Sequence, residues 1–404
     1  MGKRICFLFL CGLMLLSCSG CTAEHSKREL NSIAIVMGLG LDLARPEQDI
    51  PFEEGRLYIT AQVVRTGSMV GGGSGGGASD SADAMYWNLK MEGEDLYPML
   101  RGSVQQSNRN LYISHNQVIV FGQDLAGEGL AQFMDYFFRE REMRYNVLLA
   151  VSECPASQIL EIEPSLEDLP AQEIAKLLKI QARNAEAPTK SLFDFAVDMK
   201  SGKKAAVLPL INAQTDGDRK TIYVDGCAVF KDWRMVGKLS AAETRGYLWT
   251  SGDIESTVFT VPVENTRISL GVTGKKGDMH VVIRDEQDQK SLLVQFEVSA
   301  DTVVGHMDGV YDLHLKNSLE KIQLACSQLI GNEIQKAIEK SRELNSDLFG
   351  VSEYLERYHP TVWKEMEQDW DSYFAGITYE ISVTSYVRRT GSLVDPVLDE
   401  GAGL

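Results

Sequence analysis

TIYVDGCAVFKDWRMVGKLSAAETRGYLWTSG, Thr221 to Gly252, changes its period in mid-course, and that change decides the fold class. Thr221–Phe230 is rich in β-branched and apolar side chains and reads as a strand. Lys231–Arg234 reads as a turn, and a short strand follows to Val236. Ser240 then stands before Ala241–Trp249 with Glu243 three positions on, the capping-box spacing that predicts a helix start. Two strands running straight into a helix, without regular βα alternation, point to α+β.

Upstream, the polar run QTDGDRK, Gln214–Lys220, has turn chemistry and charge and is the best boundary between two regions. Before it, Ala205–Ile211 reads as a strand and Ser191–Met199 as a helix. Ile159–Ala185 reads as a helix in two pieces broken at Pro164 and Pro170. Ile33–Leu41, Leu57–Val64, Asn110–Gly122 and Arg144–Val151 have strand character, and Gly129–Arg141 is helical. Downstream, Leu292, Val294, Phe296 and Val298 share one face of a strand. Apolar residues through Asn317–Leu344 recur at the spacing of a long amphipathic helix. Trp363, Met366, Trp370 and Phe374 line a further helical face, and Ile377, Tyr379, Ile381 and Val383 alternate in a last strand. The expectation is an α+β protein of mixed β-sheets with packed helices, multi-lobed, in two to three domains. Residues 28–213 form an N-terminal region of one or two lobes divided near 155, and 221–393 form a C-terminal domain. Residues 71–84 begin with GGGSGGG, too glycine-rich to repay its backbone entropy, and are expected to be a flexible loop. The GxSxG match inside it, Gly72–Gly76, lacks the strand and helix that a nucleophile elbow needs.

The N-terminus has signal-peptide proportions. Lys3 and Arg4 precede an apolar run from Ile5 to Leu16, about 12 residues and too short to span a bilayer. LSCSGC, Leu16–Cys21, then places small residues before a thiol, the arrangement of a bacterial lipobox. Residues 1–20 are expected to be removed and 21–27 to form a lipidated tether. Cys21 follows Ser19 and Gly20 and is the favoured diacylglyceryl (palmitate-bearing) cysteine; Cys18 is the alternative. The formal charge of −17 becomes −19 once Lys3 and Arg4 are lost. Such a body is repelled by phosphate backbones, so nucleic acid is not an expected partner, and membrane attachment has to come from the lipid. Cys154, Cys227 and Cys326 are isolated and odd in number, which argues for apolar filler rather than a disulfide framework.

Chemistry-bearing patterns are sparse. The six histidines stand singly, with no HExxH. Asp301, His306, Asp308, Asp312 and His314 lack the fixed register of a hard-ion loop, and GHMDG (305–309) reads as a polar turn between strand and helix. GVTGKKG (271–277) lacks the gap and the Ser or Thr of a phosphate loop, and Gly38 with Gly40 lacks a third glycine. The aromatic stripe at 363–374 has burial spacing. No catalytic, cofactor-binding or metal-binding residue is expected, and no enzyme.

Four ordered segments carry a resemblance: KRELNSIAIVMGLGLD (Lys27–Asp42), ISHNQVIVFGQDLAGEGL (Ile113–Leu130) with FFREREMR after it, Gly226–Gly252, and ITYEISVTSYVRRTGSL (Ile377–Leu393). The chain resembles the Ger(x)C family, the C-subunit lipoproteins of nutrient germinant receptors, over nearly its whole length. It departs from the family where Thr22 and Ala23 follow Cys21 in place of an aromatic-acid pair, and where the glycine-rich stretch follows Met69. The resemblance implies an α+β fold of about three lobes and a non-enzymatic role in sporulating bacteria. It places the protein lipid-anchored on the outer face of the spore inner membrane, beside the integral-membrane A and B subunits of the receptor. An extracytoplasmic solute-binding lipoprotein is the alternative, although the two similar lobes and hinge of that class are not evident. Trp233, in the turn of the most family-specific segment, is either a partner contact or packs against its own hairpin.

Overall fold

The computed structural model describes residues 32–43, 56–65, 85–217, 219–251, 254–286, 289–309, 311–315 and 317–390. The signal segment, Cys18, Cys21 and residues 71–84 lie outside them, as does Gly252. Among the described residues no helix is long and apolar enough to cross a membrane.

A nine-stranded mixed sheet contains β1 (Ile33–Leu43), β2 (Leu57–Val64), β3 (Tyr86–Gly93), β4 (Asn110–Tyr112), β5 (Val118–Gly122), β6 (Leu148–Ser152), β7 (Ala206–Asp216), β8 (Arg219–Lys231) and β9 (Arg234–Leu239). Its order is β3-β2-β1-β5-β6-β7-β8-β9, with β4 beside the start of β1. The centre, β1-β5-β6-β7, is parallel and the two wings are antiparallel. β5 and β6 are buried at every position, which is why both read as continuous apolar runs rather than alternating ones.

Helices cover both faces. On one lie α1 (Leu96–Gly102), α2 (Val104–Ser107), α3 (Gln123–Glu128) and α4 (Ala131–Arg139), and from further along the chain α7 (Leu192–Ser201). Phe121, Phe133, Phe137, Phe195 and Phe230 fill that core. On the other lie α5 (Ala156–Ile159) and α6 (Pro170–Ile180). They sit directly on the backbone of β1: a Cβ at Gly38 would stand 2.7 Å from that of Ala171. Asp42, buried at the far end of β1, accepts from the Ala156 and Ser157 amides at 2.7 and 3.0 Å and so caps α5 from a distance. The Gly-Leu-Gly-Leu-Asp run thus seats a helix pair.

Gln214, Thr215 and Asp216 pair with Thr221, Lys220 and Arg219 across the β7–β8 hairpin, and the large sheet continues from β7 into β8. It likewise continues past residue 155, since β1–β6 and β7–β9 are hydrogen-bonded into one sheet. The change of layer comes after β9, where α8 (Ala241–Ser251) leads to a four-stranded sheet of β10 (Thr257–Val263), β11 (Thr266–Glu286), β12 (Gln289–Asp308) and β13 (Thr378–Arg389). β10–β11–β12 are antiparallel, and β13 joins parallel to β12. That parallel pairing requires a crossover, supplied by α9 (Ser318–Glu343), α10 (Val351–Tyr358), α11 (Pro360–Met366) and α12 (Trp370–Ala375). One core joins Val207, Cys227, Val229 and Leu239 of the large sheet to Ile330 and Ile334 of α9 and to Leu270 and Phe296 of the small one.

Three local expectations are corrected. GHMDG is not a turn between strand and helix: its first four residues complete β12, pairing as far as Asp308 with Arg267. It is polar because this end of the strand is open to solvent. Trp363–Phe374 is not one helix but two short ones joined by a 3₁₀ turn at Glu367–Asp369, which sets the Trp363 and Trp370 rings edge-on at 5.3 Å. Pro170 does not break a helix but opens α6 at its first turn, where a missing N–H costs nothing.

Candidate partner-contact surface

The stretch from Thr221 to Ser251 bridges the layers. β8 and β9 close through Asp232 and Trp233, both with positive φ, 52° and 65°. Two left-handed residues make the primed turn whose twist matches the strands. A tryptophan in that conformation is strained, and the site holds it on both sides. Its carbonyl accepts from the Leu130 amide at 2.9 Å, and its ring stands edge-on to Phe195 at 6.2 Å. Trp233 is half-buried and borders a crevice of about 170 Å³ lined also by Met199, Phe230, Trp370 and Phe374. Asp232, Arg234 and Val236 of the same hairpin are exposed.

Glu243 accepts from both the amide and the hydroxyl of Ser240, at 2.7 and 2.8 Å, starting α8 as the spacing predicts. α8 is buried nearly all round because it is wedged between the large sheet and α9. At the crossing, a Cβ on Gly246 would lie 2.0 Å from the Glu333 carbonyl oxygen. Glu333, 6% exposed, accepts two bonds from Arg245 at 3.0 and 2.7 Å and one from the Trp249 indole at 2.9 Å. Glu186 lies 3.7 Å from the same guanidinium. Burial raises the Glu186 carboxyl above its ordinary range, with Arg245 opposing the shift.

A second buried carboxylate ties the lobes on the other side of the crevice. Asp347 accepts from the amides of Gly350, Val351 and Ser352 at 2.8 to 3.0 Å and from the Ser352 hydroxyl, opening α10. Its own carbonyl accepts from the Ala205 amide at the entrance to β7. Desolvation raises the Asp347 carboxyl, and these donors hold it down.

Neither carboxylate was identified from sequence. The signal for Glu333 was present: it falls on the buried face of α9, three positions after Ile330 and four before Ala337. Asp347 gave none, because its donors belong to a turn with no periodicity.

The acidic and histidine residues near 301–314 are not brought together. Asp301 binds Arg388 at 2.7 Å, and Asp312 accepts from the His314 amide. No group of three potential ligands occurs among the described residues. GVTGKKG lies within β11, where Lys275 donates to the Leu248 carbonyl. A cleft of about 260 Å³ at the carboxyl ends of β1, β5 and β6 is lined by Asp42, Asp124, Glu153 and Cys154. Asp42 is committed to α5 there and Glu153 to Lys238, at 2.6 Å.

Against this geometry stand the comparisons. Residues 26–213 match the family described as spore germination protein N-terminal domain, and residues 225–391 match spore germination B3/GerAC-like, C-terminal. The two matches meet across the β7–β8 hairpin. Spore germination protein KC of Bacillus subtilis (strain 168) is 24% identical over 98% of both chains. Spore germination protein YndF of the same organism is 23% identical over 94% of both. Among solved structures, the GerBC protein aligns at a TM-score of 0.54 and 15% identity, over 87% of this chain and 97% of that one, a likeness of fold alone. The chain belongs to the GerAC-like family of spore germination proteins.

Proposed function

We propose that the protein is a lipoprotein subunit of a spore nutrient germinant receptor, held on the outer face of the spore inner membrane through Cys21. Its folded body acts by contact with the integral-membrane A and B subunits, in receptor assembly and in the response to nutrient, and not by catalysis. The observation that carries this is the run of both family matches through residues 26–391, directly behind the Leu16–Cys21 sequence. Anchoring raises the local concentration of the body near membrane partners, so modest contacts suffice. The β8–β9 hairpin is the contact offered, with the edge of Trp233 flanked by exposed Asp232, Arg234 and Val236.

In spores, Cys21→Ala should release the protein from the membrane fraction and impair germination, whereas Cys18→Ala should do little. Mass spectrometry of the mature N-terminus reads the lipid directly; a diacylglyceryl group on Cys18, or none, removes Cys21 from the proposal. Trp233→Ala should leave the circular dichroism native while weakening co-purification of the membrane subunits by about 2 kcal/mol, roughly thirtyfold. A folded variant with full association and full response rules out the hairpin. A spore lacking the whole protein that still assembles and answers nutrient defeats the docking role.

A further inference from the structure

We propose that the crevice between the carboxyl ends of β5 and β6 binds a small uncharged solute carrying several hydroxyls, held by Gln123, Ser157 and Gln158. The proposal goes beyond the receptor-subunit reading and depends on neither the lipid anchor nor the β8–β9 hairpin.

Topology makes the opening. β5 and β6 are parallel neighbours. The chain leaves β5 through α3, whose Leu125 and Ala126 enter the core on one face of the sheet. It leaves β6 through α5, whose Ala156 and Ile159 enter the core on the other. Connections that part to opposite faces cannot cover the strand ends between them, and in open parallel sheets such a gap is where ligands bind. Here it is the cleft of about 260 Å³. Its base is fixed: a Cβ on Gly122 would lie 2.3 Å from Asp42 Oδ1, and the same carboxylate holds the first amides of α5. Pockets that take drug-sized ligands span about 300–1,000 Å³, so this one suits a smaller molecule.

The lining selects the class of solute. Among the described residues no lysine or arginine lines the crevice, while Asp42, Asp124 and Glu153 do, so an anion is repelled. Nor do the carboxylates make a cation site. Asp42 is taken by two amides and Glu153 by Lys238, and Asp124 is itself engaged. The rest of the lining is neutral. Leu43, Leu125, Pro155 and the Tyr58 ring supply apolar wall, and Gln123, Ser157 and Gln158 supply two amides and a hydroxyl, groups that both donate and accept. A hydroxylated carbon chain or ring matches both, with its C–H surface and its row of donor-acceptors. Gln123 adds a driving force. Its Oε1 is shielded from solvent and has no hydrogen-bond partner among the described residues, a costly state for an acceptor. The terminal torsion of glutamine is broad, so the oxygen can turn onto a ligand hydroxyl.

The test uses the purified full-length protein with glycerol, erythritol, D-ribose and myo-inositol as probes, beside ethanolamine and succinate. Cys154, half-buried in the crevice wall, is the reporter. A bound solute that covers it slows its alkylation by one plus the ratio of ligand to Kd, about tenfold when the ligand stands at about ten times Kd. At least one of the four polyols should give that slowing with saturation, and calorimetric titration should return the same Kd. Ethanolamine and succinate should give neither. Gln123→Leu should melt at or above wild type, because an orphan acceptor is gone, and should bind the polyol about fivefold more weakly. Absence of binding by all four polyols in both measurements overturns the proposal, as does tighter binding of ethanolamine or succinate. An excluded osmolyte slows the reaction without saturating and without regard to Gln123, and that result overturns it as well.

Discussion

Cys227 and Cys326 lie in the core, where burial pushes their thiols up to about 12 and about 11. Their thiolate fraction at neutral pH is negligible. Cys154 is half-buried at the edge of the acidic cleft, 3.4 Å from the Ser152 hydroxyl. In native buffer at neutral pH an alkylating reagent should modify Cys154 alone among these three, with Cys227 and Cys326 reacting only in denaturant. Rapid native labelling of Cys227, read by peptide mass spectrometry, would contradict the packing. Asp42→Ala orphans two amides of α5 against a buried face. It should cost about 2 kcal/mol in urea unfolding, and a cost near zero would mean that α5 is capped in another way.

At the scale of elements, α8 and α9 cross at a separation that only glycine permits. Gly246→Ala places a methyl on the Glu333 carbonyl, and the helices must part. The expected loss is about 3 kcal/mol by urea denaturation. Glu333→Ala leaves Arg245 and the Trp249 N–H without their shared acceptor and should cost about 3 kcal/mol. Replacing the pair together, Arg245→Met with Glu333→Leu, should recover part of that loss: the buried ion pair is gone as a unit, while the Trp249 N–H still lacks its acceptor and Glu186 its cation. A double variant as unstable as Glu333→Ala alone would show that the crossing depends on the ion pair itself.

Across the whole molecule, α8 and α9 lock the two sheets, and Glu186 brings a second carboxylate to that lock. Burial raises its folded-state pKa above the ordinary value of 4.5, so the fold disfavours its ionised form. The folded state then binds the proton more tightly than the unfolded chain. The stability contributed by this group rises as pH falls from neutral through the raised pKa, and is complete below 4.5. Glu186→Gln, permanently neutral, should therefore melt at or above wild type at neutral pH, and the difference should shrink toward acid. Calorimetry at several pH values checks this; a variant whose deficit is largest at neutral pH would show that the Arg245 attraction outweighs burial.

Local order was legible because it is written in short-range chemistry. Alternation at Leu292–Val298, the helical spacing through Asn317–Leu344 and the Ser240–Glu243 pair each place an element without reference to the rest of the chain. The described parts of the four family-like segments lie where such elements are laid down. Partnership across the chain was not legible. Gln214–Lys220 has the composition of a linker and lies where the two family matches part, and that β7 and β8 on either side of it pair in one sheet depends on contacts its own residues do not encode. Gly38 meets Ala171, and Gly40 meets Ala156, only once β1 is overlaid by helices more than a hundred residues away. Glu333 stands out by its place on the apolar face of α9, but its donors Arg245 and Trp249 reach it only when α8 packs there. The sequence by itself determined most of the elements and the family, since backbone preference and burial period act over a few residues. Only the tertiary structure decided which sheet each strand joins and which charges are buried, since those energies exist only between residues that folding brings together.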